Sequence, residues 1–471
     1  MIAPNQAHLH HTTTRSHLAQ AALLILALIP PLYVIILILT LTVDVPFADQ
    51  WALVPLLQHA YQGRLNLGEL WAQHNEHRLL FPRLLMLGLA WLTGWSTRAE
   101  MLANVALASA TCGLLLWQVR ASARRAGGAA PALAPILSLM IFSLGQSENW
   151  WGGWNIQIFL NVLGACAAIL LLGAGEQRWG RLLLAAGCSV VASFSYSNGL
   201  LLWPLGAALL AAGGGWRRGQ RRYLAAWLAC GAATVGAFFH GYSWTSQTPS
   251  ADAVLGQIGS YAGYALTYLG APPVRGAVEL VFSLATGDHR AICNLGDSDL
   301  CSYVNTAAIG AGLAGLALLP LAAWLAARAI GWRGLLPYLG LALYALGTGA
   351  STSLGRASYG MHQAMAQRYA TTATLFWVAL VALLALGGRH AGRAWARTAC
   401  YSIVGVIAAA TLLCTIKGID HFRWQYEFLA PARQALATLD DEAMLQRLFF
   451  DTGVVRQGAA VLREYHLSIF R

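Results

Sequence analysis

The sequence predicts an all-α polytopic membrane protein, and three observations carry that prediction. Hydrophobic residues fill 57% of the 471 positions and charged residues 10%, with a mean hydropathy of +0.54, more apolar surface than a soluble core of this size hides. Apolar runs of about 20 residues, the length that crosses a bilayer as a helix, recur along most of the chain. Short Arg-containing loops cut these runs, so the spans are helices with internally satisfied backbones and not barrel strands. A net charge of +11 would point to nucleic acid in a soluble chain. Here its distribution matters more than its sum, and the expected surface partner is the lipid bilayer, with no nucleic acid.

The first apolar run, 21–41, follows Arg15 and several His. It is too long for a signal peptide and lacks a small-residue cleavage site, so it reads as a retained first span. The next apolar segment, 79–91, is short, contains Pro82 and Arg83 and ends in Thr-Gly-Trp. Counting it as a crossing would put Arg120, Arg124 and Arg125 on the outer side, against the positive-inside rule, so it is expected to lie at the interface as a surface helix. Spans then follow at 101–119, 131–147, 156–174, 182–195, 199–215, 223–240, 303–327, 335–350, 370–388 and 398–416, which makes about 11 transmembrane helices in all. This arrangement gives the cytoplasmic side 15 basic residues and one acid, Glu176, and leaves 15 basic and 18 acidic residues outside. A split of +14 inside against −3 outside supports this multi-pass topology, with the N-terminus cytoplasmic and the C-terminus on the outer side.

Residues 1–416 thus form one transmembrane module with a large first periplasmic loop, 43–99, carrying interfacial helices, and a long outer loop, 241–302. Residues 417–471 form a small helical periplasmic tail, with Asp440 and Asp441 opening a helix, expected to pack over the outer loops. No Asp, Glu, Lys or Arg falls in the middle of a span, which argues against an ion-coupled transporter and leaves the chemistry to the outer loops. Six cysteines sit inside apolar runs as small core residues. Cys293 and Cys301 flank a polar stretch of the long outer loop, where a disulfide is expected.

The polar interval 44–83 is where ionisable groups gather beside the first span. Asp49, and its rival Asp44, suit a general base because a carboxylate near a membrane surface is partly desolvated; each equally suits a helix cap. His74, Asn75, Glu76, His77 and Arg78 crowd four ionisable groups into five positions. If helical, they put His74, His77 and Arg78 on one side. The spacing is not that of a zinc protease helix, and no metal ligand is assigned. The cluster reads as hydrogen-bonding groups for a polar ligand or as a self-paired charged surface. Glu148, Asn149, Trp150 and Trp151, followed by a Gly pair and Trp154, suit stacking on sugar faces while amides read hydroxyls, or else an interfacial aromatic belt. Asn198, heading another span, can join the same surface. Arg356 and Arg368, with Tyr369 beside the latter, lie on the side where orientation does not require basic residues. A phosphate at the membrane surface is their natural partner, and pairing with Glu76 or Glu148 is the structural alternative.

This organisation resembles the GT-C superfamily of integral-membrane glycosyltransferases that use polyprenyl-phosphate-linked sugars. Phe47-Ala48-Asp49-Gln50-Trp51 stands where that family has its acidic motif, and His77-Arg78-Leu79-Leu80-Phe81-Pro82-Arg83 stands where many members have His-Pro-Pro before an interfacial helix. The resemblance implies an inverting transfer, with Asp49 deprotonating an acceptor on a glycan, lipid or protein while Arg356 or Arg368 offsets charge on the departing lipid phosphate. Gln50 replaces the family's usual second acid, and a divalent cation is the one cofactor left open. Two other classes also suit these residues: an envelope O-acyltransferase with His74 or His77 as base, and a flippase for a lipid-linked sugar.

Overall fold

The computed structural model describes residues 6–128, 130–173, 175–215, 217, 219–244, 251–286 and 299–471. Helix α1 (Gln6–Leu41) carries the first apolar run, and the interval after it holds a 3₁₀ turn (Ala48–Leu53), α2 (Val54–Tyr61), α3 (Leu67–Trp71), strands β1 (Gln73–His74) and β2 (His77–Arg78), and α4 (Leu80–Thr93). Helix α5 (Thr97–Arg125) returns through the bundle. It is followed by α6 (Leu133–Ile141), α7 (Ser147–Trp151), α8 (Ile156–Gly173), α9 (Trp179–Ser193), α10 (Leu202–Leu210) and α11 (Arg221–Phe239). The remainder comprises α12 (Ala251–Gly256), α13 (Ile258–Thr286), α14 (Asp299–Arg356), α15 (Ala370–Arg389), α16 (Ala394–Thr438), α17 (Glu442–Leu448) and α18 (Thr452–Glu464). The single two-residue hairpin is the only sheet among the described residues.

Eight helices among the described residues are long and apolar enough to cross a membrane. Nine of the eleven expected crossings fall on these eight helices. Helix α14 contains two of them, kinked at Gly331, where a φ of 70° interrupts the helix in a conformation that favours glycine. The expected spans at 131–147 and 182–195 are the shorter helices α6 and α9. Helix α15 is the buried centre, with its apolar window 94% buried, because apolar residues surround it on every side.

Arginine-bearing loops meet at one end of the bundle. Gly128 packs on Arg389, Gly214 on Arg217 and Arg333, and His390 Nε2 lies 2.9 Å from the Ala126 carbonyl. The polar interval meets the turns before α8, α10 and α15 at the opposite end, through His77 with Ser197, Glu76 with Arg356 and Glu148 with Arg368. For the loops that these contacts join, the two groups match those expected from charge.

Three expectations are corrected. The stretch 241–302 is not simply a loop, for it contains the 29-residue α13 packed against α14, α15 and α16. Arg275 and Glu279 disguise it as polar, yet one turn apart they pair at 2.8 Å and are buried, with His421 Nε2 at 3.6 Å from the Glu279 carboxylate; such mutual pairing is what makes buried charge tolerable. The 73–78 segment is a hairpin, with His74 opposite His77 and Asn75 in the turn at φ 49°, the left-handed region asparagine tolerates. The tail does not begin at 417 as a separate unit: α16 runs on without a break to Thr438.

The tail then completes the core of the first outer loop. Leu429, Leu436, Leu445, Val455 and Leu462 are buried against Trp51, Leu57, Leu79, Met86 and Trp95, and Gly458 lies so close to Trp51 that a Cβ there would sit 2.7 Å from its ring. Asp441 caps α17 by accepting from Met444 N at 3.1 Å. Helix α4 is the expected surface helix: it ends at Gly94 in the left-handed region and leaves Trp91 and Leu92 exposed. Cys293 lies outside the described residues, and the expected disulfide with it.

Candidate active site

Asp44 belongs to the scaffold. Its carboxylate accepts from Thr97 N at 2.7 Å, Ser96 Oγ and Thr97 Oγ1 at 2.9 Å, and Arg471 Nη2 at 2.6 Å. An anion at a helix N-terminus satisfies free N–H groups and complements the macrodipole, so Asp44 caps α5 and ties the C-terminal residue to the end of α1. It does not line the cavity described below.

Five residues on, Asp49 has a different setting. Ala48 is held at φ 50°, a conformation that costs a non-glycine residue energy and persists where the surroundings enforce it. Gln50 enforces it from both ends of its amide: Oε1 accepts from Phe47 N at 3.1 Å, and Nε2 donates to Glu100 Oε2 at 2.7 Å. Glu100 is fully buried and also accepts from Trp95 Nε1 at 3.0 Å. Gly153 allows this approach, since a Cβ there would lie 2.3 Å from Glu100 Oε2. The result turns Asp49 outward, with its side chain 52% exposed, on the rim of a polar cavity of ≈ 310 Å³.

The hairpin supplies the facing wall through His74, Asn75, Glu76 and His77, and the turn before α8 supplies Glu148, Trp151, Trp154 and Asn155. Arg356, at the end of α14, pairs with both Glu76 oxygens at 2.8 and 3.0 Å, and Arg368, just before α15, reaches Glu148 at 3.3 Å. The alternative pairing seen in the sequence is thus present, and both arginines still line the cavity. Among the described residues no arginine stands within ion-pair distance of Asp49, and Arg368 acts on it only from farther across the cavity. His74 Nε2 stands 3.7 Å from its Oδ2, an ion-pair separation longer than a hydrogen bond, and this imidazole holds the Asp49 carboxyl below the usual aspartate range.

His77 is different in kind. Burial, with His74 and Arg356 adding to it, pushes its pKa down to about 3. Ser197 N donates to Nδ1 at 3.3 Å, so the neutral ring carries its proton on Nε2. The ring also packs on Tyr196 with centroids 4.0 Å apart.

The other sequence candidates hold the site from behind. Arg78 is buried and donates to the carbonyls of Phe238, Trp71 and His240 at 2.6, 2.9 and 2.5 Å, clamping the hairpin to the end of α11. Asn149 donates to Thr371 Oγ1 at 2.7 Å and to the Arg368 carbonyl at 3.2 Å. Trp150 is fully buried and donates to the Ser143 carbonyl at 3.0 Å. A second, more apolar groove of ≈ 410 Å³ adjoins the cavity between α10, α11 and α14; Leu200, Leu201, Val235 and Phe239 line it together with Asn198 and Tyr369. Glu76, His77, Tyr196 and Arg356 belong to both walls. Among the described residues no three His, Cys, Asp or Glu side chains gather closely enough to hold a metal ion.

No protein-family model and no curated protein matches the chain. Among solved structures it is similar to ArnT from Cupriavidus metallidurans bound to undecaprenyl phosphate, at 13% identity over 94% of this chain and 89% of that one, with a TM-score of 0.43. It is also similar to the archaeal oligosaccharyltransferase AglB from Archaeoglobus fulgidus in complex with an inhibitory peptide and a dolichol-phosphate, at 11% identity over 91% of this chain and 60% of that one, with a TM-score of 0.41.

Sequence reasoning missed Glu100 and Tyr196. An acid in the first turn of a helix reads as an ordinary dipole partner, and nothing local marks Glu100 as the anchor of a loop fifty positions earlier. Tyr196 sat in a short turn noted only for Asn198.

Proposed function

We propose that the protein is an inverting glycosyltransferase that moves a sugar from a polyprenyl-phosphate donor to an acceptor hydroxyl on the outer face of a bacterial inner membrane. The observation that carries this reading is the position of Arg356, which lines both the polar cavity and the apolar groove. A lipid-linked sugar phosphate is polar at one end and apolar at the other, with its phosphate at the junction. Arg356 stands at that junction. Glu76 engages only its Nη2, and a guanidinium has five donors, which leaves N–H groups for a phosphate. The apolar groove suits the chain, and the half-buried Trp151 offers the sugar an aromatic surface.

The chemistry follows from the charges. Asp49 is anionic at neutral pH and faces the cavity without a direct ion pair to an arginine. It accepts the proton of the acceptor hydroxyl as that oxygen bonds to the anomeric carbon. The bond from the anomeric carbon to the phosphate oxygen breaks, and the electron pair leaves with the lipid phosphate, whose charge Arg356 and Arg368 offset. A carboxyl held low is a weak base, so its contribution is greatest late in the step, when the attacking hydroxyl has become acidic. A glycan, lipid or protein hydroxyl each satisfies this step. Acyl transfer with His77 as base is disfavoured, because its Nδ1 is engaged by Ser197 and its affinity for a proton is low.

The test is transfer of radiolabelled sugar from a panel of polyprenyl-phosphate sugars in membranes carrying wild type, Asp49→Asn or Arg356→Ala. Transfer by wild type that both substitutions abolish is the expected result. Wild-type rates from a folded Asp49→Asn protein would remove the assigned base, and movement of lipid-linked sugar across the bilayer with its linkage intact would make the protein a flippase.

A further inference from the structure

The antiparallel helices α1 and α5 are joined at one end by Asp44 and part at the other. Between them, at that far end, is a cavity of ≈ 230 Å³ lined by Gln20, Leu23 and Leu24 of α1, Arg120 and Arg124 of α5, and Pro131. Gln20 opens the 22-residue apolar span that ends at Leu41, so the cavity lies roughly 32 Å along the helix from its Asp44 end. It is therefore at the opposite membrane surface from Asp49 and independent of the proposed transfer.

Arg120 and Arg124 are one turn apart and share a helix face. Both are exposed, and neither has a carboxylate partner among the described residues. Ser138 Oγ donates to the Ala27 carbonyl at 2.6 Å, pinning α1 to α6 about one turn beyond Leu24. Beside it, Ile25, Leu28 and Ile29 of α1 are all more than half exposed, an apolar flank running from the two cations into the bilayer. Positive charge at a loop is enough to orient a span; a recess holding two uncompensated guanidinia above an apolar flank is more than orientation requires.

We propose that this cavity is a binding site for an anionic phospholipid of the surrounding leaflet, with its phosphodiester on Arg120 and Arg124 and its acyl chains along α1. Charge complementarity selects the headgroup, as for basic pockets between membrane helices generally, and the apolar flank selects a lipid over a free anion.

Delipidated full-length protein in detergent, titrated with dioleoylphosphatidylglycerol or dioleoylphosphatidylcholine and followed by native mass spectrometry, tests it. One phosphatidylglycerol retained at concentrations where phosphatidylcholine is not is the expected result. Arg120→Gln and Arg124→Gln should each weaken retention about 5-fold and the double variant about 25-fold, while Arg393→Gln, an exposed arginine at the same end outside the cavity, should leave it unchanged. The charges are exposed, so the variants keep the fold; a circular dichroism melt matching wild type verifies this, and single variants serve if the double does not. Equal retention of the two lipids, wild-type retention by the folded variants, or displacement by inorganic phosphate alone at equal concentration would overturn the site.

Discussion

His74 Nε2 faces Asp49 Oδ2 at 3.7 Å, across a cavity rim that a hairpin and a 3₁₀ turn build from opposite sides. Arginines are paired with the other two acids of the cavity, Glu76 and Glu148. Among the described residues of this wall, Asp49 is the acid left to meet a substrate.

Asp49 and Asp44 are separable by experiment. Asp49→Asn removes a proton acceptor from the cavity rim and should lower transfer by about 10²–10⁴-fold with an unchanged thermal melt. Asp44→Asn leaves Arg471 and the α5 cap short of their acceptor, and should cost about 1–3 kcal/mol, seen as a lower Tm with activity per folded molecule retained. The reverse pattern would exchange their roles.

The pH profile carries a signed prediction. Asp49 is held below the ordinary aspartate range, and it works only when deprotonated, so activity should persist through the neutral and mildly acidic range and be lost only in strong acid. His74→Ala removes the imidazole and should move the acid limb upward. His77, pushed down to about 3, is neutral from pH 5 to 8 and should add no limb near 6.5. A limb near 6.5 that disappears in His77→Gln would contradict this assignment.

The Arg356 and Glu76 pair should matter for transfer far more than for folding. The two side chains are 30% and 28% exposed, where ion pairs contribute at most about 1 kcal/mol. Arg356→Ala should therefore shift the melt little while raising the KM for the lipid donor and lowering kcat together. Arg356→Lys keeps the charge but loses the planar fork, and should recover only part of the activity. An equal loss of stability and activity would make Arg356 structural.

Gly458 tests whether the tail supports the site. A side chain there collides with Trp51, which precedes α2 and follows Asp49 by two positions. Gly458→Val should destabilise by about 1–3 kcal/mol through overpacking and expose the segment around 439–451 to limited proteolysis, with activity falling alongside. Unaltered proteolysis with a normal melt would show that the tail is not coupled to the first outer loop.

The sequence by itself determined the helical membrane architecture, the grouping of loops at two ends, the surface helix α4, and the neighbourhood of the site. Those properties follow from local composition: an apolar run of sufficient length must be a helix in lipid, and arginine distribution orders the loops. Only the tertiary structure decided which carboxylate lines the cavity. Asp44 and Asp49 have the same chemistry and similar sequence contexts, but Asp44 meets Thr97 and Arg471, whereas Asp49 is turned outward by Gln50 and Glu100. The pairing of Glu76 with Arg356 and Glu148 with Arg368 joins residues 280 and 220 positions apart, and the ion pair of Arg275 with Glu279 lets α13 bury charge that its composition advertises as a loop. Such contacts depend on which helix ends packing brings together, and no local pattern of residues encodes that distance.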